Sequence, residues 1–88
     1  MRVYWTEPAE EHHAALSRTS PRYADRIVDR ITARTKQIVR FPRSGTVTPH
    51  AEALQIRVIQ EPPYRILYVI GSGHIEILGV LHGSRDSI

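Results

Sequence analysis

The chain has 88 residues and a formal net charge of +3, so it forms one small domain whose basic balance favours an acidic partner, either nucleic acid or protein. It contains no cysteine, which excludes disulfide bonds and any cysteine-ligated metal site. It shows neither an apolar run of the roughly 20 residues that cross a bilayer nor a secretory start, so we expect a cytoplasmic protein that does not enter a membrane.

The N-terminal half predicts a strand followed by a helical hairpin. Residues 2–6 alternate β-branched and aromatic side chains, which indicates a short strand. Thr6 precedes an acidic residue and a proline, as helix N-caps often do, and predicts a first helix that ends near residue 17. Ser20, which also precedes a proline, repeats this signal and predicts a second helix that ends near residue 40.

The second predicted helix is amphipathic. Apolar side chains at helical spacing form one stripe, which we expect to face the core: Tyr23, Ile27, Ile31 and Ile38. The opposite side carries a row of arginines spaced four residues apart: Arg22, Arg26, Arg30 and Arg34. Two aspartates partly neutralise this row, so we interpret it as a solvated helix face rather than a nucleic-acid site.

The C-terminal half predicts three strands. Residues 41–52 are punctuated by proline and glycine and indicate a loop. Strands follow at residues 54–60, 64–70 and 75–82, joined by turns short enough for hairpins. This order predicts an α+β fold, β-α-α-β-β-β, in which the helical hairpin packs on one face of an antiparallel sheet within a single domain, residues 1–88.

The register of the strands decides which side chains share a face. Three-residue connections would pair Gln60 with Tyr64 and Ile70 with His74. One face then lies under the helices: Leu54, Ile56, Val58, Ile66, Tyr68, Leu78 and Val80. The other face has no covering layer: Gln55, Arg57, Ile59, Arg65, Leu67, Val69, Ile75, Ile77 and Leu81. We expect this second face to be an exposed apolar binding surface.

Two arginines, Arg57 and Arg65, interrupt this second face, and Gly79 lies opposite Arg65 in the same register. A guanidinium there could bind a carboxylate or phosphate of a partner. The structural alternative is an ion pair of Arg65 with Glu61 or Glu76 at the sheet edge.

Four segments of the chain, WTEPAEEH, FPRSG, LQIRVIQEPPYRILYVI and IEILGVLHGSRD, resemble in their order and spacing the RelE/ParE superfamily of toxins from type II toxin–antitoxin systems. The resemblance covers residues 3–86 and implies the same architecture. It also implies a cytoplasmic bacterial toxin, neutralised by an acidic antitoxin of the ParD or RelB type that is encoded beside it.

We expect no cofactor and no metal site. His12 and His13 are adjacent in the first helix, where neighbouring side chains point about 100° apart, so they do not form a metal pair. We expect His13 to lie in the core or in a groove.

The superfamily has two branches that differ in activity. RelE-like toxins cut mRNA on the ribosome, whereas ParE-like toxins inhibit DNA gyrase. RNA cleavage through the 2′-hydroxyl needs a base, a cation for the phosphorane charge and an acid. The resemblance aligns the cationic positions of the nucleases with Gln55, Arg57 and Arg65, whereas their later acid–base positions hold glycine and serine here. No tyrosine follows Tyr68, although the nucleases place one near the C-terminus.

His82 is the remaining candidate base, but strand alternation places it on the helix side, away from the arginines. The segment HGSR, from His82 to Arg85, is typical of the ParE-like branch. We therefore favour a gyrase inhibitor whose contacts with gyrase or antitoxin come from these residues: Gln55, Arg57, Arg65, Leu67, Val69, His82 and Arg85. One alternative is a ribosome-dependent mRNA endonuclease that uses Arg57, Arg65, His82 and Arg85. A third is an inactive member that only binds antitoxin.

Overall fold

The computed structural model describes residues 1–16, 18 and 21–82, with the side chains of all of these except 21, 23, 24 and 50–52. Two helices are present, α1 (Glu7–Leu16) and α2 (Pro21–Arg40). The strands are β1 (Arg2–Trp5), β2 (Thr46–Val47), β3 (Arg57–Glu61), β4 (Tyr64–Ile70) and β5 (His74–His82). Two short 3₁₀ turns, Pro42–Ser44 and Pro49–Leu54, flank β2.

The five strands form one sheet in the order β1-β5-β4-β3-β2. The predicted meander of β3, β4 and β5 is antiparallel, but β1 runs parallel to β5, so the sheet is mixed rather than antiparallel. The chain between these two parallel strands begins with the helical hairpin and continues through β2, β3 and β4. Both helices pack on one face of the sheet, which confirms the predicted α+β fold.

Thr6 caps α1 as predicted and also ties the helix to the sheet. Its hydroxyl accepts a hydrogen bond from the backbone N–H of Ala9 at 3.3 Å and donates to the carbonyl of Ile77 at 3.1 Å. One turn further, His12 Nδ1 accepts a hydrogen bond from the backbone N–H of Val80 at 3.2 Å. The helix therefore covers the edge of β5 beyond the point where β1 ends.

The core lies between α2 and the helix-facing side of the sheet. The predicted apolar stripe is confirmed at Ile27, Ile31 and Ile38, all at most 2% exposed, while the side chain of Tyr23 lies outside the described part. The largest fully buried side chains are shared between the helix and the central strands: Tyr68, Ile31, Ile38, Ile66, Ile75 and Ile77.

The arginine row of α2 divides into two groups. Arg22, Arg26 and Arg30 are exposed, as a solvated helix face requires. Arg34 instead turns toward the sheet, where its Nε lies 3.0 Å from a carboxylate oxygen of Glu61.

The predicted register of β3 was wrong by one residue. Glu61 pairs with Tyr64, because the connection contains two residues, Pro62 and Pro63, rather than three. The shift inverts the strand, since side chains alternate between faces. Ile59 is therefore buried in the core, and Arg57, opposite Tyr68, lies on the helix-facing side.

The predicted start of β3 was also wrong. Gln55 has a left-handed backbone with φ 54°, so an extended strand does not form until Arg57. Leu54 belongs to the preceding 3₁₀ turn and is 70% exposed, not part of the core.

The predicted pairing of β4 with β5 was also wrong, and β5 contains a bulge. Leu67 pairs with Gly79 and Tyr68 with Ile77, which leaves Leu78 between them without a partner residue in β4. Ile70 pairs with Ile75 rather than with His74 as predicted, so Ile77 faces the core. The extra residue at Leu78 then places Val80 on the same side. Gly79 is therefore not opposite Arg65, as predicted; Leu81 occupies that position.

Candidate partner-binding surfaces

The sheet face turned away from the helices carries three of the predicted site residues, Arg65, Leu67 and Val69 of β4. Arg65 and Val69 are half-buried, and Leu67 is only 6% exposed although it lies outside the helix-side core. Val58 and Leu81 flank them and are also half-buried. This far face therefore combines apolar side chains with the guanidinium of Arg65 and with Gln60 and Glu76, which pair with Arg65 and Val69, and it is less exposed than the sequence predicted.

Arg57 does not share that face with Arg65. One of its terminal nitrogens donates a hydrogen bond to the carbonyl of Gly45 at 2.7 Å and lies 3.5 Å from the carbonyl of Arg43. Arg57 and the exposed Gln55 line a small pocket of about 190 Å³ at the end of the sheet. The structure thus separates the two arginines that the predicted register had placed side by side.

His82 lies on the helix-facing side, as predicted, away from Arg65. It pairs with Tyr64 across β4 and β5, and the two rings are 5.6 Å apart in an edge-to-face arrangement. Arg85, the last predicted site residue, lies outside the described residues.

Two glutamates of the sheet each lie beside a basic side chain. Glu61 forms its ion pair with Arg34 on the helix-facing side, and Glu76 lies 3.2 Å from Nε2 of His74.

His74 is the centre of a small polar cluster near the start of β5. Its Nδ1 lies 3.1 Å from the carbonyl of Ser72, and its Nε2 faces Glu76. The hydrogen bond to the Ser72 carbonyl, and secondarily that to Glu76, raise the pKa of His74 above its ordinary value. Tyr4 packs edge-on against the imidazole at 5.5 Å.

Both histidines of the first helix have structural contacts. His13 packs edge-to-face against Trp5 at 5.2 Å, and His12 is hydrogen-bonded to β5. Within residues 1–16, 18 and 21–82, no three histidine or carboxylate side chains come together as a metal site would require. None of the helices described there is long and apolar enough to cross a membrane.

A residue that sequence reasoning assigned only to the core organises the loop beside Arg57. The hydroxyl of Tyr68 accepts a hydrogen bond from the N–H of Gly45 at 2.9 Å and donates one to the carbonyl of Pro42 at 2.6 Å. A side chain at Gly45 would meet that hydroxyl, since a Cβ there would lie 2.6 Å from it. The available signal was Tyr68 itself, because a buried tyrosine hydroxyl needs a hydrogen-bond partner.

The fold is shared with solved toxin structures. One is described as the chromosomal ParDE TA system from P. aeruginosa, with TM-score 0.73, 20% identity, and coverage of 93% of this chain and 95% of that chain. A second is described as the YoeB/ParE toxin from Agrobacterium tumefaciens, with TM-score 0.71, 22% identity, and coverage of 93% of this chain and 98% of that chain. At these identities the likeness shows the fold alone.

The family follows from the sequence. The family model described as ParE toxin of type II toxin-antitoxin system, parDE, matches residues 3–87. The chain therefore belongs to the ParE toxin family and is the toxin component of a type II toxin–antitoxin system, with a cognate antitoxin as its partner. No curated protein matches the chain.

Proposed function

We propose that this toxin binds DNA gyrase in the cytoplasm and inhibits it without cutting RNA, and that an acidic antitoxin neutralises it. The observation that carries the proposal is the position of Arg57 and Arg65 on opposite faces of the sheet. Stabilising the phosphorane of RNA cleavage requires cations that converge on one phosphate. Two guanidinium groups separated by a sheet do not meet that requirement, so a binding role is favoured over a nuclease.

The need of a nuclease for a general base and a general acid also favours a binding role. Arginine is too basic to act as a general base near neutral pH, so a nuclease would need a second group beside it. The described candidate, His82, lies on the helix-facing side against Tyr64, whereas Arg65 lies on the far face. The described residues therefore support partner binding better than proton transfer.

We assign partner binding to the far face through Arg65, Leu67 and Val69. A guanidinium beside apolar side chains suits a contact in which a carboxylate is bound and an adjacent apolar group is covered. The net charge of +3 also favours an acidic antitoxin.

Two assays on the purified toxin test the mechanism. We expect inhibition of gyrase supercoiling, restored by added antitoxin, and no cleavage of mRNA on translating ribosomes. Codon-positioned cuts at catalytic toxin concentrations, with supercoiling unaffected, would replace the gyrase mechanism with the mRNA endonuclease. If neither activity appears although antitoxin binds, the chain is an inactive member and the proposal is wrong.

A further inference from the structure

A groove lies at the C-terminal end of α2, and none of the residues assigned above to partner binding lines it. Its volume is about 480 Å³, and Met1, Phe41 and Ile70 form its apolar wall. Phe41 is 57% exposed although it lies in a concave site. We call this feature the α2-end groove. An aromatic ring that stays open in a groove is suited to stack against a flat ligand.

The charged residues that line the α2-end groove in the described part of the chain are all arginines. They are Arg40 and Arg43. The guanidinium carbon of Arg40 lies 5.5 Å from the centre of the Phe41 ring, within the range of a cation–π contact. A flat ligand stacked in this groove would therefore have positive charge beside it, which favours an anionic ligand.

A second depression of about 190 Å³ continues the basic surface. It shares Arg43 and Ile70 with the groove and adds Arg57. One nitrogen of Arg57 donates to the carbonyl of Gly45, and the Tyr68 hydroxyl accepts from the N–H of Gly45, so the guanidinium is oriented from the core. A guanidinium has five N–H donors, and it can bind a ligand while it keeps this contact. Because the group is already ordered, binding there loses little conformational entropy.

We propose that the α2-end groove binds an unpaired nucleotide of a DNA strand, with the base stacked on Phe41 and the adjacent phosphates bound by Arg43 and Arg57. Proteins that hold single strands without reading their sequence combine these two features, an aromatic ring for the base and a basic track for the backbone. The assignment to DNA rests on the gyrase role proposed above, because gyrase acts on DNA. The contacts with base and phosphate do not depend on that role.

Two other occupants fit the groove less well. A second copy of this chain would bring its own arginines against Arg40 and Arg43, and like charges repel. A DNA duplex would place phosphates near the arginines, but its bases are stacked on one another and could not cover the Phe41 ring.

Fluorescence anisotropy of a short labelled oligothymidylate with the purified toxin tests the proposal. We expect the toxin to bind this single strand about tenfold more tightly than a duplex of the same length. Phe41→Leu keeps an apolar side chain but removes the ring, so it should weaken binding of the strand by about tenfold. Phe41→Trp keeps an aromatic ring and should retain the wild-type affinity.

The salt dependence of binding tests the phosphate contact separately. Arg43→Gln should make the slope of log K against log salt concentration shallower by about 0.7, the contribution of one phosphate contact on a single strand. Phe41→Leu should leave this slope unchanged, because the ring carries no charge. The matched controls are Arg26→Gln, an exposed arginine on α2, and Leu54→Ala, another exposed apolar residue. Both should bind the strand within about twofold of wild type.

Equal affinities of Phe41→Leu and Phe41→Trp would overturn the proposal, since an apolar contact such as a protein segment makes would then explain the groove. Absence of oligothymidylate binding, or a preference for the duplex, would also overturn it. An oligouridylate bound about tenfold more tightly than oligothymidylate would overturn the assignment to DNA.

If the Phe41 variants fail to fold, as thermal melting would show, the salt slope of Arg43→Gln decides, because Arg43 is exposed. The anisotropy assay contains the toxin alone, so its result is independent of gyrase. A wild-type toxin that binds the strand but does not inhibit supercoiling would contradict the proposed function and not the nucleotide site.

Discussion

The phenolic oxygen of Tyr68 accepts a hydrogen bond from the backbone N–H of Gly45 at 2.9 Å, between groups that are 23 positions apart in the chain. Tyr68 is fully buried in the middle of the sheet, and the same oxygen donates to the carbonyl of Pro42. A single side chain therefore connects the hydrophobic core to the loop whose Gly45 carbonyl accepts the hydrogen bond of Arg57.

Removing the Tyr68 hydroxyl should destabilise the protein without disturbing its core. Tyr68→Phe leaves the N–H of Gly45 and the carbonyl of Pro42 without their partner in a buried site. We expect the free energy of unfolding to fall by about 1–3 kcal/mol, measured by urea denaturation. The control is Tyr4→Phe, because Tyr4 is 49% exposed and should change stability by less than about 0.5 kcal/mol. Equal stabilities for the two variants would contradict the role assigned to Tyr68.

Local sequence signals predicted both helices and the strands β1, β4 and β5, but not β2 or the start of β3. The Thr6 cap, the proline that begins α2 and the apolar stripe of Ile27, Ile31 and Ile38 all appear as expected, because each depends on a few neighbouring residues. The strand Tyr64–Ile70 was predicted with its observed bounds. The overall architecture followed from the order of these elements.

The relative positions of the candidate site residues could not be predicted in the same way, because they depend on the register of the strands. A two-residue rather than a three-residue connection before Tyr64 moved Arg57 to the opposite face, and the pairing of Ile70 with Ile75 rather than His74 moved Ile77 into the core. Both are one-residue differences that strict alternation does not encode. Successive core residues of a regular strand are two positions apart, whereas Ile77 and Val80 are three apart. This spacing was the only sign of the bulge in the sequence.

His12 should contribute to stability through the hydrogen bond it accepts from Val80. His12→Leu removes the acceptor from the edge of β5, so we expect a loss of about 1 kcal/mol and faster hydrogen exchange of the Val80 amide. Glu11→Leu is the matched control, since it places the same side chain at the exposed neighbouring position of α1. If Val80 exchanges at the same rate in both variants, the hydrogen bond does not protect this edge.

The raised pKa of His74 predicts a pH dependence of stability. Since the folded state favours the protonated imidazole, this contribution is fully present below the unfolded pKa of 6.5 and is lost as pH rises through the higher folded pKa. An NMR titration of the imidazole should show the raised value. Glu76→Gln should lower the pKa of His74 only part of the way, because the larger cause, the Ser72 carbonyl, remains. An unchanged titration in Glu76→Gln would exclude Glu76 as a cause.

The separation of the two arginines by the sheet predicts that their substitutions have different effects. Arg57→Ala removes a charged donor from the carbonyl of Gly45, so we expect a loss of about 1–2 kcal/mol in the free energy of unfolding. Arg65→Ala should instead weaken gyrase inhibition or antitoxin binding by about tenfold, because a charge-assisted contact with the partner is lost. Its melting temperature should stay near that of wild type.

Thermal melting and antitoxin titration of both variants, performed side by side, distinguish the two roles. The far-face assignment is wrong if Arg65→Ala destabilises the protein by about 3–5 kcal/mol, the effect of breaking a buried ion pair. In that case Arg65 stabilises the sheet rather than binding a partner. A stable Arg65→Ala variant with normal gyrase inhibition and normal antitoxin affinity would likewise remove the far face from the proposed function.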